Sequence, residues 1–288
     1  MWKSYLKLIV SMLIFGSIGI FVRGIPLSTV ELVLYRVIIG SIFILALMLM
    51  KRKKPFNCSK KTFRLAALSG IIMGINWLLF FQALRYTTIA IGTMTYYLAP
   101  ILVLFLAPFI LKERLSKKQL ATAMLAPLGL ALIVFSSTST SQATYNHTLG
   151  LLFGIGSAIF YALLILCNKK LEDIDNLDKT FIQLISAAIT LSPVLIIYHD
   201  FNRVFTYLPM LLILGILHTG IACYFYFTGL KETPTQLTAV LSYIDPVSAV
   251  FFAALFLNEP LNGIQLIGTA IVLVSTYLCS QTKTKEIY

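Results

Sequence analysis

Asp245 is the residue of this chain best placed to do chemistry. It lies about a third of the way into a long apolar segment, beside Pro246. A carboxylate in such surroundings is costly unless it is paired, wetted or protonated. It could carry a proton, bind an amine, or form a permanent ion pair or hydrogen-bonded helix lock. These readings stay open from sequence alone. Arg36, about two turns into another apolar segment, is the natural partner to consider, because its long side chain can reach inward. It could hold a fixed structural position or bind a substrate anion. Glu31 lies nearer the end of that segment, and five residues of separation put Glu31 and Arg36 on different helical faces. His218, in the middle of a further apolar run, could relay protons or serve as a neutral hydrogen-bond partner between helices.

Two prolines mark where backbone polarity could join these side chains. Within a helix, Pro100 and Pro246 would free the carbonyls of Tyr96 and Ser242, four residues earlier. Aromatic residues are frequent nearby: Trp77, Tyr96, Tyr97, Tyr161, Tyr224 and Tyr243. Their ring faces and hydroxyls suit aromatic, cationic or amphipathic metabolites, although packing and interfacial anchoring explain such residues equally well. Asn76 and Gln82 suit interhelical hydrogen bonding. Gly70 with Gly74, and Gly150 with Gly154, have the spacing that lets helices approach closely. There is no nucleotide-binding glycine loop, no HExxH and no plausible Ser/His/Asp set. The four cysteines form no CxxC pair, so no metal site, cofactor or disulfide framework is implied. No catalytic residue is assigned, and the expectation is that the chain is not an enzyme.

The elements that must position these residues are membrane spans. Of 288 residues, 58% are hydrophobic and only 12% charged, about half the charged share of a soluble domain. The apolar residues come in blocks of about 20, the length that crosses a bilayer. Ten helices are expected, at 5–23, 29–50, 63–85, 88–111, 117–137, 148–168, 179–198, 207–230, 237–257 and 263–281. The N-terminal run resembles a signal peptide, but with further spans following and no clear cleavage site it reads as an uncleaved first span. The net charge of +12 does not point to nucleic acid, because the basic residues sit in short loops between spans. The densest cluster runs from Lys51 to Arg64. With the N-terminus inside, the inner loops hold most of the Lys and Arg, and the outer ends keep Arg23, Arg85 and Arg203. That asymmetry puts both termini in the cytoplasm.

One sequence pattern is written twice, 146 residues apart and without a gap. Phe81, Leu84 and Thr87 recur as Phe227, Leu230 and Thr233, and Tyr97 and Pro100 recur as Tyr243 and Pro246. Leu111, Glu113, Leu115, Gln119 and Leu120 recur as Leu257, Glu259, Leu261, Gln265 and Leu266. The charges do not recur: Lys112, Arg114, Lys117 and Lys118 become Asn258, Pro260, Gly263 and Ile264. Loss of cations from one copy is expected if the copies face opposite sides of the bilayer. Five spans per copy is an odd number, so the second copy must be inverted. The organisation expected is a first repeat at 1–137, a linker at 138–147 and a second repeat at 148–288. Asp245 breaks the symmetry, since its counterpart is Ala99.

These residues resemble the drug/metabolite transporter superfamily, in its ten-span EamA-type branch. The resemblance rests on Ala83, Leu84 and Arg85 with Tyr97, Pro100, Glu113 and Leu115. It rests equally on Gly229, Leu230 and Lys231 with Tyr243, Pro246, Glu259 and Leu261. Phe15, Gly16, Ser17, Tyr35 and Arg36 also look like the family. The resemblance covers essentially the whole chain. It implies an all-α membrane protein of ten transmembrane helices in two inverted five-helix repeats, with a midplane cavity formed mainly by spans 1, 3, 4, 6, 8 and 9. It also implies alternating-access export of a small organic molecule such as an amino acid, with a proton gradient as a possible drive. Flipping of a lipid or lipid-linked sugar, and uncoupled facilitated transport, are the alternatives. The expected partners are a small-molecule substrate and the lipid bilayer of the cell (plasma) membrane. Oligomeric state is left open.

Overall fold

A computed structural model describes residues 2–53, 58–110, 121, 124–125, 128–129, 131–132, 136, 145–171, 174–195, 201–232, 241–242, 244–258 and 262–281. The chain is nearly all helical, with no strand among these residues. The helices are α1 (Trp2–Gly16), α2 (Ile18–Gly24), α3 (Thr29–Met50), α4 (Lys60–Tyr86), α5 (Ile89–Tyr96) and α6 (Ala99–Ile110). After the joint come α7 (His147–Lys169), α8 (Asn176–Leu195), α9 (Phe201–Thr206) and α10 (Leu208–Leu212). A π-helical stretch at Ile213–Ile221 leads into α11 (Ala222–Glu232), followed by α12 (Ile244–Leu257) and α13 (Gly263–Gln281). Among the described residues, five helices are long and apolar enough to cross a membrane: Tyr5–Gly24, Thr29–Met50, Lys60–Tyr86, His147–Lys169 and Leu208–Gly229. Most of the expected fifth span, the start of the ninth, and Glu113 and Glu259 lie outside the described residues.

Polar caps set the helix starts. The Ser28 side chain accepts from the Glu31 amide while Glu31 accepts from Ser28, a reciprocal capping box that opens α3. Ser59, Thr88 and Asn146 cap α4, α5 and α7 in the simpler way. Glu31 is therefore a helix cap, and its charge faces the first turn of α3.

The helix pairings exchange under the 146-residue shift. The shift carries α1 onto α7, α3 onto α8, α4 onto the π stretch and α11, and α6 onto α12. The structure pairs α4 with α7 and, correspondingly, α11 with α1. It pairs α4 with α8 as it pairs the π stretch with α3, and α6 with α7 as it pairs α12 with α1. The α3–α8 contact maps onto itself. This is the contact pattern of two repeats related by a two-fold axis.

The seventh helix differs from the sequence expectation in a revealing way. It begins at Asn176 rather than 179 and is not among the five apolar helices. It carries Asp178, Lys179, Thr180 and Gln183, all buried. Protein, not lipid, surrounds this polar face. Gln183 donates to Ser69 Oγ and Asn168 Oδ1, both at 2.8 Å, and the Lys179 ammonium lies 4.9 Å from the Phe227 ring. The glycine pairs seen in the sequence make close contacts. A methyl group at Gly70 would run into the Gln183 backbone, and one at Gly154 into Thr95.

Candidate functional site

Three helices lose regularity where the two repeats meet, and a further helix, α12, packs there. The first span breaks at Ser17, between α1 and α2. The fourth breaks at Tyr97 and Leu98, between α5 and α6. The eighth widens into the π stretch, and α12 starts at Ile244. Pro100 falls in the first turn of α6 and Pro246 in the first turn of α12, where a missing amide costs no helical bond. Pro100 thus restarts a helix after the break at Tyr97 and Leu98 rather than kinking a continuous one.

At this junction the Tyr97 hydroxyl donates to Asp245 Oδ2 at 2.7 Å, joining the two repeats. Tyr97 stands about 12 Å along from the start of α5, and Asp245 about 18 Å before the end of α12. Both therefore fall well inside an apolar core about 30 Å thick. Asp245 occupies the first turn of its helix, where the dipole favours negative charge. Gly16 lies directly against it: a side chain there would strike Ser248 Oγ and the Asp245 carbonyl. No basic side chain among the described residues forms an ion pair with Asp245, and the described ion pair, Lys53–Asp175, is elsewhere. Arg36 is thus not its partner.

An aromatic group adjoins the pair. Tyr96 stacks on Tyr161 with centroids 4.6 Å apart and planes at 12°, and also meets Phe80, tilted by 31°, at 4.5 Å. The Tyr161 and Tyr226 hydroxyls are 3.3 Å apart, and Phe15 meets Tyr226 edge-on at 6.2 Å. Such walls bind flat or cationic groups.

Arg36 is fully buried among other partners. Its Nε donates to Thr219 Oγ1 at 2.8 Å, and its guanidinium carbon lies 4.2 Å from the centroid of Trp77 and 4.9 Å from that of Phe81. The π stretch places Thr219, whose hydroxyl also donates to the Leu214 carbonyl at 2.9 Å. Gly40, Gly215 and Gly220 let α3 and this stretch touch, since a methyl at any of them would meet the other helix. His218, on the same stretch, is bonded through Nε2 to Ser17 Oγ at 2.9 Å, and its ring packs against Phe21.

The remaining sequence candidates divide. Asn76 donates to the carbonyl and hydroxyl of Ser157 at 2.8 and 3.0 Å, and Ser157 returns a bond to the Asn76 carbonyl. It joins α4 to α7. Tyr224 faces Lys51, which donates to its hydroxyl at 3.2 Å, away from Asp245. Ser242 is partly buried three residues before Asp245, and Tyr243 lies outside the described residues. Sequence reasoning missed Tyr226, Thr219 and Ser157. The 146-residue shift held a signal for Tyr226, which is the counterpart of Phe80, as Phe15 is of Tyr161.

A junction of interrupted helices from two repeats, enclosing a carboxylate and aromatic walls, is transporter architecture. The EamA-like transporter family model matches residues 2–135 and again residues 148–281. The chain belongs to the EamA-like transporter family. This is a family of membrane transporters, not enzymes. The uncharacterized transporter YxxF of Bacillus subtilis (strain 168) is 27% identical over 93% of this chain and 86% of that protein. An uncharacterized transporter of Archaeoglobus fulgidus is 24% identical over 94% of each chain. Protein PecM of Dickeya dadantii is 24% identical over 73% of this chain and 70% of its own length. A solved crystal structure superposes with a TM-score of 0.71 at 18% identity, over 96% of this chain and 95% of the other. At that identity the likeness shows the fold.

Proposed function

We propose that this EamA-like transporter is a secondary transporter that exports a small organic metabolite, an amino acid or a related compound, by alternating access. Asp245 is its coupling residue. The observation that carries this reading is the Tyr97–Asp245 hydrogen bond at the junction of interrupted helices from both repeats. A carboxylate held there can exchange a proton or meet a cationic group only when one side of the junction opens, which is what coupling requires. Residues 1–137 and 148–288 act as the two moving units, joined by 138–147. The protein resides in the cell membrane with both termini in the cytoplasm.

The test is flux into proteoliposomes with and without an imposed pH gradient, for the wild type and Asp245→Asn. The expected result is accumulation driven by the gradient in the wild type and its loss in the variant, with downhill exchange retained. Full gradient-driven flux in Asp245→Asn would remove the coupling role. Equilibration without accumulation in the wild type would make the protein a uniporter. Movement of labelled lipid or lipid-linked sugar instead of soluble metabolites would make it a flippase.

A further inference from the structure

Arg36 is fully buried, yet neither Nη1 nor Nη2 has a hydrogen-bond partner. Its one side-chain bond, from Nε to Thr219 Oγ1, uses one of five N–H donors. No described carboxylate lies within ion-pair distance of it. A buried cation with four idle donors is expensive, and Trp77 and Phe81 offset only part of that cost through their ring faces. A merely structural arginine would be expected to spend its donors on carbonyls. Two others here do so: Arg23 donates to the Thr87 carbonyl, and Arg85 to those of Ile25 and Leu27.

The contacts also restrict the approach. The two rings hold the guanidinium group and Thr219 takes the Nε side, leaving the paired Nη edge. That edge presents parallel N–H groups in the fork that matches a carboxylate. Thr219 is itself fixed by its bond to Leu214 on the π stretch, so the fork is pre-oriented.

We propose that the Nη edge of Arg36 is a binding subsite for the carboxylate of the transported molecule, with Thr219 as its positioning residue. The cargo is then a carboxylate-bearing metabolite. Because both Nη atoms are inaccessible in this conformation, the carboxylate enters when the halves separate and is enclosed when they close. This assignment rests on the transporter reading for its biological role, while the binding test below does not.

Trp77 provides the readout, since it lies against Arg36 and the chain has only two tryptophans. In a Trp2→Phe background, Trp77 emission is titrated with benzoate and L-phenylalanine, and with benzamide and L-phenylalaninamide as neutral-end controls. The expected result is a saturable change with the carboxylates and affinity at least about tenfold weaker for the amides. Arg36→Gln should abolish the difference, and Arg36→Lys, which keeps charge but loses the fork, should weaken carboxylate binding about tenfold. Thr219→Val, which leaves the guanidinium in place, should weaken it by a smaller factor and guards against misfolding of the arginine variants. No saturable carboxylate signal, equal response to acids and amides, or unchanged affinity in Arg36→Lys and Thr219→Val would overturn the assignment. Carboxylate binding without any flux in proteoliposomes would leave the subsite standing and remove the transporter reading.

Discussion

The Asn76–Ser157 contact offers a direct test of whether a buried polar residue lines the path or locks two helices. Three hydrogen bonds join the pair: two from Asn76 Nδ2 and one returned by the Ser157 hydroxyl to the Asn76 carbonyl. Interhelical hydrogen bonds in membrane proteins contribute about 0.6 kcal/mol each. Asn76→Ala removes two of the three and Ser157→Ala also removes two, with the Nδ2–Oγ bond common to both. Each single variant should therefore cost about 1 kcal/mol, and the double variant roughly 2 kcal/mol, about 0.6 kcal/mol less than the two singles together. Asn76 Oδ1 has no partner, so its removal relieves a small penalty and brings the Asn76→Ala cost toward the lower side. The assay is reversible unfolding of detergent- or bicelle-held protein, arranged as a double-mutant cycle, with substrate KM measured on the same variants. A helix lock lowers stability and leaves KM unchanged. Additive singles with no coupling, or a KM raised by tenfold at wild-type stability, would refute the reasoning.

Two further outcomes follow from packing and charge. Gly16→Val places methyl groups against Ser248 and the Asp245 carbonyl, so it should destabilise by about 1–3 kcal/mol and slow transport, as read by unfolding and by flux. At the membrane-external Lys53–Asp175 pair, burial alone pushes the Asp175 carboxyl up. The bonds from Lys53 and the Leu177 amide outweigh this and hold it below the ordinary carboxylate value. Its stabilisation is therefore present above the unfolded carboxylate pKa and lost as pH falls through the lower folded one. Both side chains are about 40% exposed, so the effect should stay below about 1 kcal/mol. Asp175→Asn should flatten that acid limb in melting curves recorded from about pH 6 to pH 3, and an unchanged limb would assign the acid sensitivity to other groups.

Much of the architecture was legible because membrane physics writes itself into composition. Apolar blocks of about 20 residues mark helices such as Thr29–Met50 and His147–Lys169, since lipid offers backbone groups no partner. The 146-residue shift carries the pairing symmetry, because two copies of one pattern bury the same faces. The polar seventh helix was less legible. Its Asp178, Lys179 and Gln183 interrupt the apolar pattern that marks a span, and only the helices around it turn that face into an interior one.

The site divides along the same line. Sequence alone singled out Asp245, because a lone carboxylate in an apolar block breaks both the hydropathy and the repeat. It likewise marked Tyr97, Pro100 and Pro246 through their matched positions. Tertiary structure decided who meets whom: Asp245 is paired with Tyr97, while Arg36 is enclosed by Trp77, Phe81 and Thr219. Asn76 joins two helices, and Tyr226 takes the place by the aromatic group that Tyr224 does not. The physical reason is rotational. A hydrophobic segment fixes that a helix crosses the membrane, but a helix apolar on every side carries no pattern saying which face turns inward. That choice is made by interhelical contacts at glycines, breaks and buried hydrogen bonds, which exist only once the helices have packed.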